Sequence, residues 1–238
     1  MTCPAAAGRG GNGTSEQRRR LLRLEISRAA SRLFWEYGVA ATSGDRIAEA
    51  VGLSTRTVWR HFRNKESCAE PIVTQGVERE MRALRSWPRH LSLESHLTAE
   101  AARYENAADA DAVADAVEQA DTLLAVRMIR LAEHEPSIRT AWLMAGDQVA
   151  RELTGIVARR LCRPADDLEV RLHAAAASAA IRVVHEEFGA AATRGGPAGN
   201  LEADVIHRLA RAVRDATGGT IGDAVGSLAD GVRGAGAG

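Results

Sequence analysis

Lysine is nearly missing from this chain: of 31 basic residues only Lys65 is lysine, and the other 30 are arginine. Aromatic residues make up 4% of 238 residues, and runs of alternating β-branched residues are absent. A strand-rich protein is therefore not expected, and the abundance of Ala and Leu favours helix. Cysteine is scarce. Cys3, Cys68 and Cys162 lie far apart, with no Cys-x-x-Cys and no His at zinc-ligand spacing, which argues against a disulfide framework or structural zinc and for a reduced compartment. Long apolar runs are absent too: the longest, residues 174–181, falls far short of the roughly 20 residues a membrane span needs. Residues 1–13 lack the apolar segment of a signal peptide. A soluble, cytoplasmic chain without a membrane partner is expected.

What is present is enough apolar material for a core, 45% of the residues, and an uneven distribution of charge behind a formal net charge of +0. Residues 1–67 carry 11 Arg and one Lys against five Glu and one Asp, a surplus of six positive charges that the remaining residues offset. A basic end attracts phosphate and an acidic remainder is repelled by it.

Periodicity divides the chain into helices. Residues 1–13, rich in Gly and Ala, read as a disordered tail, after which Thr14 or Ser15 can cap a first helix. Arg18, Arg19, Arg20 and Arg23 crowd its first turns, where positive charge opposes the macrodipole unless an anion lies nearby. They suit a segment lying along phosphates, or a solvated face. Leu22, Ile26, Ala29, Ala30, Leu33, Phe34 and Tyr37 form its apolar stripe, and Gly38 should end it.

Residues 42–65, TSGDRIAEAVGLSTRTVWRHFRNK, read as helix, tight turn and helix. Thr42 or Ser43 can cap the first, in which Ile47 and Val51 share a face. Gly52 permits the turn, and Ser54 can cap the second, whose apolar side is Leu53, Val58 and Phe62. The outward side chains Thr55, Arg56, Thr57, Trp59, Arg60 and His61 are polar, basic or aromatic, a face suited to a DNA groove. An Arg such as Arg60 in the groove can make a bidentate contact to guanine, or a phosphate contact instead. Asn64 looks like the cap of a fourth helix extending toward Arg85, and Pro71 in its second turn should kink it or shift its start.

Trp87 and Pro88 should close that helix. Further helices are expected over residues 91–107 and 111–133, from Pro136 through Leu161, over residues 167–188, and from Leu201 past Ala212, with a loop at 195–200 and a flexible Gly-rich tail after about residue 216. The organisation expected is thus a tail over 1–13, a helix-turn-helix domain over 14–63, a helical domain over 64–215 and a tail over 216–238.

With the flanking helix LFWEYGVAATS, residues 48–65 resemble the TetR family of bacterial transcriptional regulators. An aromatic before Glu, then Gly, Thr-Ser, Ile-Ala, Val-Gly, Ser, Thr-Val-Trp, Arg-His-Phe and Asn-Lys-Glu follow that family's motif, and the likeness covers roughly residues 18–70. The resemblance implies an all-α fold: a three-helix DNA-binding domain joined by a fourth helix to a ligand-binding and dimerising helical domain. It also implies a homodimer on a palindromic double-stranded operator, released by a small-molecule effector. In the family's terms Ser43 and Arg46 would approach phosphate or base edges. Thr55, Arg56 and Thr57 would face the major groove with Arg60, and His61 and Lys65 would hold phosphates. Trp59 stands where the family often has a Tyr against the DNA backbone.

Other constellations are weaker. His90 and His96, or His173 and His185, are not at one-face helical spacing, and His134-Glu135 and His185-Glu186-Glu187 lack the second His of a zinc-protease helix. No nucleophile elbow or phosphate-cradling Gly loop is present, so no catalytic residue, metal or cofactor is assigned. Met128, Trp142 and Met144 can line a cavity, with Arg103, Tyr104, Arg127 and Arg130 to receive a carboxylate or phosphate of a fatty or aromatic acid; ordinary core and a solvated face explain the same residues. The Ala-rich run 174–180 suits close helix approach, in a dimeric four-helix bundle or internally. Two readings stay open beside the repressor: an activator of the same fold, and an α-helical enzyme or sensor whose N-terminal module does not bind DNA.

Overall fold

The computed structural model describes the backbone of residues 11–108, 112–192 and 201–225, and the side chains of residues 14–78, 80–103, 116–190 and 204–225. The expected loop at 195–200, the side chain of Tyr104 and residues 226–238 lie outside these, as do residues 1–10. Every regular element among the described residues is helical: α1 Gly11–Tyr37, α2 Gly44–Ala50, α3 Thr55–His61, a 3-10 turn Glu66–Ala69, α4 Glu70–Arg85, α5 Leu93–Ala108, α6 Ala112–Leu131, α7 Pro136–Leu161, α8 Leu168–Ala192 and α9 Leu201–Ala216. The chain forms two compact units, residues 1–72 and 73–238.

In the first unit α1 buries Ile26, Ala29, Ala30 and Phe34. It starts at Gly11, so Thr14 and Ser15 lie within it instead of at its start, since extending an established helix by a turn is far easier than starting one. Gly38 ends it at φ 84°, and Gly52 makes the α2–α3 turn at φ 65°, left-handed conformations open to a residue without Cβ. Ile47, Val58 and Phe62 complete the core beneath the turn. Ser27, fully buried on α1, accepts the Ile72 amide at 3.1 Å and pins the start of α4. Asn64 caps the 3-10 turn, its Oδ1 accepting the Ser67 amide at 2.8 Å. Pro71 is accommodated by a shifted start: α4 opens at Glu70, so the missing N–H falls in the first turn, where no intrahelical partner is needed.

The second unit is a helical bundle in which α8 packs on α6, α7 and α9. Ala174, Ala177 and Ser178 of the Ala-rich run face inward, while Leu168, Leu172, Ala175, Ala179 and Val183 leave an exposed stripe along α8. The start of the expected Gly-rich tail is not free. Residues 217–225 fold back: the Gly222 carbonyl accepts the Leu93 amide at 2.7 Å, the Val225 amide donates to Arg89 at 2.8 Å, and Ile221 is buried. Arg160, in the last turn of α7, is 2% exposed and donates to the carbonyls of Pro88, Leu91 and Asp223 while stacking 3.5 Å above the Trp87 ring. Burial lowers its pKa to about 10, the nearby Arg89 charge adding to this, yet it stays a cation at neutral pH.

Candidate nucleic-acid interface

Both short helices of the turn are set by serine caps. Ser43 Oγ accepts the Arg46 amide and Ser54 Oγ accepts the Thr57 amide, each at 3.2 Å, and each serine backbone is extended as a cap requires. Thr55 Oγ1 donates to Asp45 Oδ1 at 2.6 Å, tying the start of α3 to α2. The Thr57 hydroxyl is paired with Ser54 Oγ at 2.8 Å. Two of the three residues expected to face the groove are therefore partly committed to holding the motif together. Arg56 and Arg60 remain exposed, and no hydrogen bond or ion pair to another described residue engages either.

Trp59 is 40% exposed; the benzo side of its indole closes on Gly44, the first residue of α2. A Cβ on Gly44 would stand 2.1 Å from Trp59 Cζ2, so this glycine is what lets the indole in. Arg46 stacks 4.0 Å above the Tyr37 ring, which steers its exposed guanidinium. Gly44, Asp45 and Tyr37 thus support the face without having been singled out by motif. A glycine beside a cap, paired with a bulky Trp in the next helix, is the signal that would have found the first.

The two residues expected to hold phosphates, Lys65 and His61, both have contacts within the domain. Lys65 turns inward: Nζ donates to the carbonyls of Val39, Thr42 and Ala40 at 2.7, 2.9 and 3.3 Å. An ammonium has three donors, and here all are directed at the α1–α2 connection, so Lys65 latches the domain. His61 is half-buried, with Nε2 enclosed and unpartnered. Burial, and secondarily the charges of Arg60, Arg23 and Arg19, lower its pKa and favour the uncharged ring. Arg23 of α1 lies 4.6 Å above the Phe62 ring and donates to the His61 carbonyl, fastening α1 to the end of α3. Arg18 and Arg19 are exposed beside it in sequence.

Within the second unit a cavity of about 100 Å³ opens between α4, α6, α7 and α8. Its walls are mostly apolar or small, including Val77, Ala125, Ile129, Gly146 and Val149, with Glu80, Ser178, Arg182 and His185 as polar members. Of the residues expected to line a pocket, Trp142 does so, its Nε1 donating to Glu186 at 3.0 Å. Met128 is wholly buried in the core away from the lining, Met144 is 61% exposed, and Arg103 is exposed and paired with Glu100. Arg127 is half-buried and outside the lining, as is Arg130, paired with Glu133. The reason is geometric. Helical periodicity marks an apolar face, but a cavity arises where side chains are small, and a search for large flexible ones passes over Gly76, Ala125 and Gly146.

Among the described residues no three metal-ligating side chains cluster, and no helix is long and apolar enough to cross a membrane.

Residues 26–72 match the family model of bacterial regulatory proteins, tetR family, and residues 106–214 match that of the MftR C-terminal domain. The HTH-type transcriptional regulator TcmR of Streptomyces glaucescens is 31% identical over 180 residues, 75% of this chain and 77% of that one. The solved structure of Salmonella enterica GusR shares the fold, with a TM-score of 0.52 at 18% identity over 83% of this chain and 94% of the other.

Proposed function

Because the chain belongs to the TetR family of bacterial transcriptional regulators, a family of DNA-binding proteins and not of enzymes, we propose that it is a repressor working as a homodimer. Each subunit would lay α3 in a major groove of a palindromic operator, the two half-sites lying about one helical turn apart. A small molecule in the cavity of the second unit would release the DNA, in the cytoplasm where operators are reached.

The observation that carries this reading is the pair Arg56 and Arg60, exposed on α3 without a side-chain partner among the described residues while their neighbours are occupied in holding the motif. A guanidinium left free on a groove-sized helix suits a bidentate contact to guanine, worth about 1–3 kcal/mol of base discrimination. Around it, Ser43, Arg46, Thr55, Thr57 and Trp59 remain the proposed contacts to backbone and base edges. The exposed apolar stripe of α8, with Leu168 and Leu172 at its start, supports a subunit interface there. For release, the effector must bind the DNA-incompetent arrangement more tightly, since equal affinity for both shifts nothing. α4 contributes Val73, Gly76, Val77 and Glu80 to the cavity wall, and its first residues belong to the DNA-binding unit.

Footprinting of the full chain on the DNA flanking its own gene, in excess random DNA, tests the reading. A protected, two-fold symmetric site overlapping a promoter is expected. Absence of protection anywhere in that region overturns DNA-directed regulation there, and a site upstream of the promoter with raised transcription would replace repression by activation.

A further inference from the structure

The cavity's polar groups differ in how well they are served. Ser178 Oγ donates to the Gly146 carbonyl at 2.9 Å, and Thr122 Oγ1 donates to Glu118 at 2.8 Å. Arg182 is held at 2.9 Å by Glu186, which also accepts from Trp142; its side chain is 29% exposed, and none of its nitrogens is buried without a partner. Glu80 is the exception. One carboxylate oxygen stands 3.4 Å from His185 Nε2; the other, Oε1, is buried with no hydrogen-bond partner among the described residues.

His185 cannot supply what is missing. Its Nδ1 lies 2.9 Å from the Ile181 carbonyl, and a carbonyl only accepts, so Nδ1 is the protonated donor nitrogen there. Nε2 is then the nitrogen turned to Glu80, 3.4 Å from one carboxylate oxygen, and the other oxygen gains nothing from it. A buried, unmatched acceptor is costly, whereas an exposed unmatched donor such as those of Arg182 costs nothing, because water serves it. The terminal torsion of a glutamate is soft, so the carboxyl can turn either oxygen toward an incoming group. The walls around it, Val73, Val77, Val126, Ile129, Val149 and Ile181, offer only apolar contact.

We propose that the molecule this cavity takes has an apolar body and a hydrogen-bond-donating head, a hydroxyl or an ammonium, that docks on Glu80. The expected acid suits this wall less well: Arg182, the arginine of the lining, is already paired with Glu186, and a carboxylate or phosphate would meet the Glu80 carboxylate beside it. The inference rests on the cavity being the effector site, and it places the recognising group on α4, the helix that continues from the DNA-binding unit.

Titration calorimetry of the full chain with β-naphthol, naphthylmethylamine and β-naphthoate compares one body with three heads. The two donor heads are expected to bind about tenfold or more tightly than the carboxylate, the scale of one hydrogen bond to a charged group. Glu80→Gln, close in shape, should reduce that preference to about threefold or less, and Glu80→Asp should keep it. Binding of β-naphthoate as tight as β-naphthol, a preference that survives Glu80→Gln, or no binding by any of the three overturns the proposal. Should Glu80→Gln fail to fold, the wild-type order and the Asp variant still decide. Repeating the titrations with operator fragment separates the two readings. Glu80-dependent binding that leaves DNA affinity unchanged contradicts release by effector but not the assignment of the head group. Release of DNA by the carboxylate probe alone, indifferent to Glu80, contradicts the assignment and not the release.

Discussion

At the scale of single residues the DNA-reading unit divides its polar side chains between those that hold the motif and those left to meet DNA. Lys65 shows the division most sharply. Replacing it by Met strips donors from the carbonyls of Val39, Ala40 and Thr42 and should lower stability by about 1–3 kcal/mol in denaturant melts, while the slope of log affinity against log salt stays unchanged. A slope flattened by about one unit would instead make Lys65 a phosphate contact. Gly44 and Trp59 form a second such pair. Gly44→Ala should push the indole off α2 and weaken operator binding by about tenfold or more, with Trp59→Phe in the same chain restoring much of it, because the smaller ring leaves room for the methyl group. Unaltered binding by Gly44→Ala would show that the indole's position is irrelevant to reading. His61 adds a pH dependence of defined sign. Its pKa is lowered from 6.5 in the fold, so the neutral ring contributes its stability in full above pH 6.5, and that contribution is lost as pH falls through the lower folded value. Thermal melts should therefore show the wild type losing more stability than His61→Asn below about pH 6.5.

At the scale of elements, local chemistry decided most boundaries, and it was legible. Ser43 and Ser54 cap, Gly38 and Gly52 turn, Pro136 opens α7, and the amphipathic periods gave the remaining helices to within a few residues. What the sequence could not display were contacts made over long separations. Arg160 reads as a helix-end charge until residues 217–225 return across it, and the inward turn of Lys65 depends on carbonyls more than twenty residues away. Arg160→Leu should cost about 2–4 kcal/mol, since it removes the charged donor shared by the carbonyls of Pro88, Leu91 and Asp223, of which Pro88 and Leu91 keep one other donor each. Hydrogen exchange should show residues 217–225 opening first. The α8 stripe predicts its own disruption: Leu172→Glu, at a position already 60% exposed, should leave the folded subunit intact and shift sedimentation from dimer to monomer. A Glu variant that sediments as the wild type places the interface elsewhere.

At the scale of the whole molecule the output is easier to read than the input. The reading face is built from a short contiguous motif, so residue types at fixed spacing carry it. The cavity is assembled from four helices spread over residues 73–185, and its character comes from small residues and one under-served carboxylate, neither of which has a periodic signature. That difference explains why the helix-turn-helix was legible in the sequence while, of the residues expected to line a pocket, Trp142 alone among those described lies in its wall. The central claim, that α3 reads bases through arginines kept free for the purpose, is tested most directly by fluorescence anisotropy of wild type and Arg60→Ala on the footprinted operator and on random DNA of equal length. The account predicts that Arg60→Ala loses about 1–3 kcal/mol on the operator and much less on random DNA, narrowing the ratio between them. Equal losses on both DNAs, or none on the operator, would contradict it.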